Sequence, residues 1–496
     1  MPIVNDNTGK PSLTLETARL PSPMAKEIID EAEIGGILES TRSPSKERIE
    51  TILKKALLME GLDLEEVGCL LHMEDPDLLE ELYKVAHTIK MAIYGERLVF
   101  FAPLYISSHC VNDCEYCGFH ARNLAPRKKL SLEEVREQTK QLIDMGHKRL
   151  LLEFGEHPKL CTIDYVTDVI KEIYATKSGR GEIRRVNVNI AATSVENYRK
   201  LKETEIGTYQ LFQETYHRET YATMHHGLKA DYERQLFAMD RAFEAGIDDV
   251  GIGVLFGLYD HKFEVLALAS HARYLDNKYG VGPHTISFPR FQPADTVNFE
   301  PPYRVSEKEL LKIIAILRCT VPYTGMILTT RESPETRAKA FELGISQTSA
   351  ASCTAPGGYG KKEKVTQFHL SDHRTLDEVV ISILKQGLMP SFCTACYREG
   401  RTGEEFMHIA KPGEIHHLCR PNAILTLKEY LEDYASDEVK VLGEKITEKY
   451  IKKIKSEQRR EETKKRLKKI EAGEGIYIFN THNIKKAENP VEPRLI

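Results

Sequence analysis

No stretch of this chain approaches the 18 or more apolar residues that a bilayer-spanning helix needs. The first 23 residues, MPIVNDNTGKPSLTLETARLPSP, also lack the apolar core of a secretory signal. Charge of one sign is lacking as well: 69 Lys and Arg face 74 Asp and Glu, and a net −5 gives no reason to expect nucleic acid as the main partner. Neither a membrane nor nucleic acid is therefore an expected partner. Asp6 and Glu16 argue against a transit peptide, so a cytoplasmic location is expected, organellar if the host is eukaryotic. Cysteine is sparse, ten in 496 residues. In a reducing compartment, cysteines that cluster bind metal or do chemistry rather than form disulfides.

What is present has ordinary globular composition, and its length exceeds a single core. Residues 1–23 are polar and Pro-containing and read as a flexible arm. Residues 24–95 carry helical periodicity, as in ERIETILKKALLMEG, and form an N-terminal helical segment. From about 96 to 380, apolar runs alternate eight times with amphipathic segments. The runs are LVFFAPLYIS, RLLLEFGE, RRVNVNIA, GTYQLFQE, DVGIGVLFGL, HTISFPRF, GMILTTRE and ISQTSAAS. Ser131 with Glu134, Ser306 with Glu309, and Thr375 with Glu378 have the spacing of capping boxes. Eight β/α units are the count of a (β/α)8 barrel, although a doubly wound sheet shares the alternation. Residues 381–496 are mostly helical and end in a tail of mixed charge, expected to pack one apolar stripe on the body.

Three of the ten cysteines fall within eight positions. Cys110, Cys114 and Cys117 (C-x3-C-x2-C) follow the first strand, at the carboxyl end of the expected barrel, where barrel enzymes keep their chemistry. Three thiolates suit three irons of a cubane cluster and leave the fourth open. A zinc knot completed by His109 or His120 has the same spacing open to it. A second set, Cys393, Cys396 and Cys419, lies near the other end, where His416 or His417 could complete a zinc site.

The first set, with Tyr116 before its last cysteine, resembles the defining motif of the radical S-adenosylmethionine (SAM) superfamily. The resemblance implies a TIM-type barrel holding a SAM-binding 4Fe–4S cluster. It places Glu156, in EFGEHP, at the SAM amino group, though the usual glycine pair is reduced to Gly155. Asn189, Glu214 and Arg234, at or beyond strand ends, are candidates for ribose and carboxylate; ordinary rim polarity is the alternative. The segment CTACYREGRTGEEFM followed by Cys419 is similar to the terminal signature of the radical SAM tyrosine lyases of FeFe-hydrogenase maturation, the 2-iminoacetate synthase type. Stretches such as FAPLYIS, IRRVNVNIAAT, FQETYHR and VPYTGMILTTRE extend the likeness over about residues 60–470.

That family implies cleavage of the Cα–Cβ bond of L-tyrosine to p-cresol and dehydroglycine, which is then converted to CO and cyanide. It implies an auxiliary 4Fe–4S cluster on the second cysteine set, an additional labile iron, free L-cysteine as a ligand, and companion maturases and a scaffold as partners. His284, at the start of the sixth strand, is then expected to ligate the extra iron from below the barrel, with His271 in reserve. Arg331 and Ser349, ending strands seven and eight, are expected to hold the tyrosine carboxylate; Arg290 competes. The rivals are a thiamine-type tyrosine lyase, which lacks the terminal cysteines, and a non-catalytic carrier of two iron–sulfur clusters. Cys69, Cys161, Cys319 and Cys353 are isolated and read as buried structural thiols, and neither MHHG (His225, His226) nor GGYG gains support as a metal or phosphate site.

Overall fold

A computed structural model describes residues 23–361, 366–413 and 415–474. All of the N-terminal arm except Pro23 lies outside these residues. Among them no helix is long and apolar enough to cross a membrane.

Eight parallel strands close into a barrel. They are β1 (Arg97–Ser107), β2 (Arg149–Phe154), β3 (Arg185–Asn189), β4 (Tyr209–Gln210), β5 (Val250–Gly253), β6 (Thr285–Ser287), β7 (Gly325–Leu328) and β8 (Gln347–Ser349). They pair in sequence order, and β8 returns to β1 with Val99 opposite Gln347 and Phe101 opposite Ser349. This closure decides between the two expected folds, since a doubly wound sheet keeps open edges. Both faces of the strands are covered, which is why they read as continuous apolar runs. Along β1 the faces alternate. Phe101, Pro103 and Tyr105 line the barrel interior, whereas Phe100, Ala102 and Leu104 join the core beneath the helices. Phe101, Leu151 and Ile327 pack together as one layer inside the barrel.

The three expected capping boxes are all formed. Ser131, Ser306 and Thr375 each accept from the backbone N–H three residues on, and Glu134, Glu309 and Glu378 each reach back. Asp63 with Glu66 makes a fourth in the N-terminal helices, which pack on helices His261–Tyr279 and Glu307–Thr320.

A ninth strand is absent from the expectations. β9 (Met389–Ser391) pairs with the first residues of β1, Arg97 with Met389 and Val99 with Ser391. It has three residues and a proline, which an outer strand tolerates. Residue 380 lies inside helix Leu376–Lys385, so a divide there would cut that helix.

Helix Ile415–Asp433 packs against β9 and is fixed to the barrel by Glu429, which accepts from Arg184 Nη1 at 2.7 Å. Pro421 inside that helix has no N–H to donate to the His417 carbonyl, and Arg459 Nη1 bonds that oxygen at 3.4 Å instead. The charged tail is two helices rather than one, Asp437–Lys452 and Glu457–Glu471, with Ser456 capping the second. The second buries Thr463, Leu467 and Ile470, the single stripe expected of it.

Candidate active site at the two mouths of the barrel

The first cysteine loop leaves the carboxyl end of β1 and folds around Arg127. Arg127 Nη1 donates to the Ser108 and Phe119 carbonyls at 2.8 Å each, and Nη2 to those of His120 and Asn123. The loop is tied to its neighbours through Val111 N–H to the Glu156 carbonyl (2.7 Å) and Gly118 N–H to that of Gln367 (3.0 Å). Gly155 is required by close approach. A Cβ there would stand 2.4 Å from the His109 carbonyl oxygen and 3.2 Å from Cys110 Cβ.

All three thiols are free. Burial pushes each of them up, Cys117 to about 11, so binding iron would have to displace their protons. The fit to a 4Fe–4S cluster rests on the donor set: three soft sulfurs on one loop at the mouth of a cavity. Among the described residues no three His, Cys, Asp or Glu side chains converge on a point as one metal ion requires. A cluster that bonds each thiolate to a different iron does not need them to.

The cavity is about 930 Å³ and occupies the upper barrel. It is lined by Cys117, Tyr116, Asn189, Glu214, Arg331 and Ser349, so six of the expected site residues face one space. Arg331 stacks its guanidinium on the Phe368 ring at 3.3 Å, and Ser349 Oγ accepts from the Thr330 N–H at 3.2 Å. The Tyr116 hydroxyl hydrogen-bonds His225 Nε2 at 2.9 Å, which gives the MHHG histidine a place. Glu214 sits at φ +70°, the left-handed region, and its carboxylate pairs with Lys229 Nζ at 2.9 Å. Backbone strain in a non-glycine residue is tolerated where surroundings impose it, commonly at functional sites. Glu153 also faces the cavity, and burial raises its carboxyl to about 8.

Glu156 and Arg234 stand apart from that group. They pair at 2.6 Å and line a neighbouring cavity of about 920 Å³, with Asn112 Nδ2 donating to Glu156 at 2.6 Å. Arg290 is committed to Glu332 (Nε to Oε1, 3.0 Å). Of the isolated cysteines, Cys69 and Cys319 are buried, but Cys161 and Cys353 are partly exposed, and Cys161 lines the second cavity.

The second cysteine set lies at the opposite mouth. The short β9 delivers Cys393 and Cys396, helix Ile415–Asp433 delivers Cys419, and all three line a cavity of about 480 Å³ with His284, Arg97, Arg149 and Tyr397. Three sulfur donors and an imidazole facing one space suit an iron–sulfur centre with a further iron. Cys396 accepts a hydrogen bond from Cys419, which with Arg401 and Arg97 nearby holds its thiol below the usual range. Burial lowers the His284 pKa below its ordinary value, against the opposing pull of Asp249. His284 Nδ1 faces Asp249 Oδ2 at 3.5 Å and its ring packs on Phe406 at 4.2 Å, contacts that fix the orientation of the imidazole. His271 instead bonds the Tyr216 hydroxyl at 2.8 Å. His416 and His417 line a small separate cavity with Arg420 and Arg459.

Arg97, Arg149 and Asp249 were not singled out from the sequence. Arg97 and Arg149 are the first residues of β1 and β2, and Asp249 and His284 immediately precede β5 and β6. Polar residues at successive strand starts were the signal that was available.

Comparison with known proteins agrees with this architecture. Residues 104–269 match the radical SAM superfamily, and residues 287–389 match the biotin and thiamin synthesis associated domain. The chain is 32% identical to 2-iminoacetate synthase of Escherichia coli strain K12 over 341 residues, 68% of this chain and 89% of that one. A crystal structure of HydG, a maturase of the FeFe-hydrogenase, is 53% identical, covers 92% of this chain and 100% of its own, and superimposes with a TM-score of 0.89. HydG of Carboxydothermus hydrogenoformans is 40% identical over 88% of this chain and 97% of its own, with a TM-score of 0.78. A barrel with one cysteine set at each mouth, matched along nearly its whole length by these maturases, belongs to the radical SAM tyrosine lyase family of hydrogenase maturation.

Proposed function

We propose that the two mouths divide the work. The upper cavity cleaves L-tyrosine to p-cresol and dehydroglycine, and the lower cavity converts dehydroglycine to CO and cyanide for assembly of the hydrogenase active-site cluster. The observation that carries this reading is the position of Cys393, Cys396, Cys419 and His284 around one cavity beneath the barrel, with Cys117 and Arg331 facing another cavity above. The thiamine-type lyase explains the upper cavity but gives the lower one no task. The non-catalytic carrier leaves unexplained a cavity in the upper barrel lined by both Arg331 and Ser349.

In this reading Cys110, Cys114 and Cys117 hold a 4Fe–4S cluster. When bound there and reduced, SAM supplies the 5′-deoxyadenosyl radical. The chain's residues do the rest. Arg331 and Ser349 fix the tyrosine carboxylate, and the Phe101, Leu151 and Ile327 layer keeps water from the reacting centre. Asn189 and Glu214 would contact SAM within the cavity, and Glu156 and Arg234 would act from beside it. Below, the second cysteine set holds an auxiliary 4Fe–4S cluster, and His284 holds an additional labile iron with free L-cysteine. The iron–carbonyl–cyanide product would pass to companion maturases and a scaffold.

The test is anaerobically reconstituted protein given SAM, L-tyrosine and dithionite, with p-cresol measured by chromatography and CO by capture on deoxyhaemoglobin. Both products are expected. Cresol without CO, from protein with both clusters filled, would reassign the chain to the thiamine type.

A further inference from the structure

The two cysteine sets stand in different electrostatic surroundings. Around the lower set, Arg97, Arg149 and Arg401 are 9%, 6% and 5% exposed. Arg97 acts on all three sulfurs, Arg149 on Cys393, and Arg401 on Cys396, whose carbonyl also accepts the Arg401 N–H at 2.8 Å. Among the described residues none of these guanidiniums pairs with a carboxylate. The three guanidinium nitrogens of Arg401, and Nε of Arg97 and Arg149, find no oxygen or nitrogen partner, and the Arg401 guanidinium is turned to the Cys396 sulfur instead. Arg149 donates only to neutral oxygens, Gln347 Oε1 at 3.3 Å and the Cys393 carbonyl at 3.0 Å. Asp249 is the nearby carboxylate, and it faces His284.

Around the upper set the cations are met by carboxylates. Lys229 and Arg331 both act on its cysteines, but carboxylates face both cations: Glu214 pairs with Lys229 at 2.9 Å, and Glu214 and Glu153 act on Arg331. The Glu156 carboxylate beside Cys110 is likewise paired, with Arg234 at 2.6 Å.

Buried guanidinium without a counter-charge is costly, and it persists where an anion compensates it. An iron–sulfur cluster gains a negative charge on reduction, and its potential follows local charge and hydrogen bonds to its sulfurs. We infer that Arg97, Arg149 and Arg401 hold the lower cluster at a higher reduction potential than the SAM-binding cluster. The inference rests on the two-cluster reading above. They are tuning residues that act through the cluster, and under limiting reductant the lower cluster fills with an electron first.

The experiment is a potentiometric titration of the reconstituted holoprotein followed by electron paramagnetic resonance. The signal that responds to added SAM identifies the upper cluster and serves as the internal reference. The parent should show the lower cluster reduced first. Arg401→Gln should move its potential to a more negative value without moving the upper one, and Arg401→Lys, which keeps the charge, should restore most of the shift. Arg149→Gln and Arg149→Lys form a second pair should Arg401→Gln fail to load iron. A lower cluster that titrates at or below the upper one, or a potential that neither glutamine variant moves, would overturn the inference. Iron and sulfide analysis showing a single cluster in the parent would instead remove the two-cluster reading on which it stands.

Discussion

Replacing Glu429 by glutamine tests how the helix that supplies Cys419 is held to the barrel. Glu429 is buried, accepts from Arg184 Nη1 and Nη2 at 2.7 and 2.5 Å, and faces Lys148 Nζ at 3.8 Å. Glutamine keeps the volume and one acceptor but removes the nearest counter-charge of two buried cations, leaving Arg184 with Glu182 at 3.7 Å. Breaking a buried pair from one side costs about 3–5 kcal/mol. At about 1.4 kcal/mol per decade, the equilibrium for local opening should rise roughly 10²- to 10⁴-fold. The lower end is favoured because Arg184 keeps Glu182 and Lys148 Nζ still donates to the Tyr434 hydroxyl at 2.8 Å. Hydrogen exchange of residues 415–433 measures this opening, and the lower site should lose iron faster than the upper. Exchange within tenfold of the parent would refute the clamp.

Three further outcomes are expected. Gly155→Ala would drive a methyl into the His109 carbonyl and Cys110, so SAM-binding cluster content and p-cresol should fall together; iron analysis checks this. In the proposed reading Arg331→Lys loses a bidentate grip on the tyrosine carboxylate while keeping charge, and a charge-assisted hydrogen bond is worth about 1.5–3 kcal/mol, so KM for L-tyrosine should rise roughly 10- to 100-fold. His147 is fully buried, and burial lowers it from 6.5 to about 3. Its folded pKa lies below its unfolded one, so the unfolded chain binds the proton first as pH falls. Stability should therefore drop by about 1.4 kcal/mol per pH unit between roughly pH 6.5 and 3 through this residue. Urea midpoints across that range should flatten in His147→Leu.

How much of this was legible in the sequence depended on range. The capping boxes at Ser131, Ser306 and Thr375 are local in their physics and were readable to the residue. The eight strands were readable because parallel strands buried on both faces leave unbroken apolar runs. Barrel closure was inferred only from a count, and the pairing of Phe101 with Ser349 settles it. β9 escaped notice because three residues, one of them proline, carry no periodicity. Arg127 and Arg401 were equally silent, since their roles depend on which backbone carbonyls or sulfurs the fold brings to them. His284 came into view through family likeness rather than its own spacing.

The central claim is that tyrosine cleavage and formation of CO occupy different mouths of one barrel. The most direct test measures p-cresol and CO together in the Cys393→Ser/Cys396→Ser double variant, reconstituted beside the parent. The account predicts p-cresol near the parent's level and no CO. Equal loss of both products, with the SAM-binding cluster intact by spectroscopy, would contradict it.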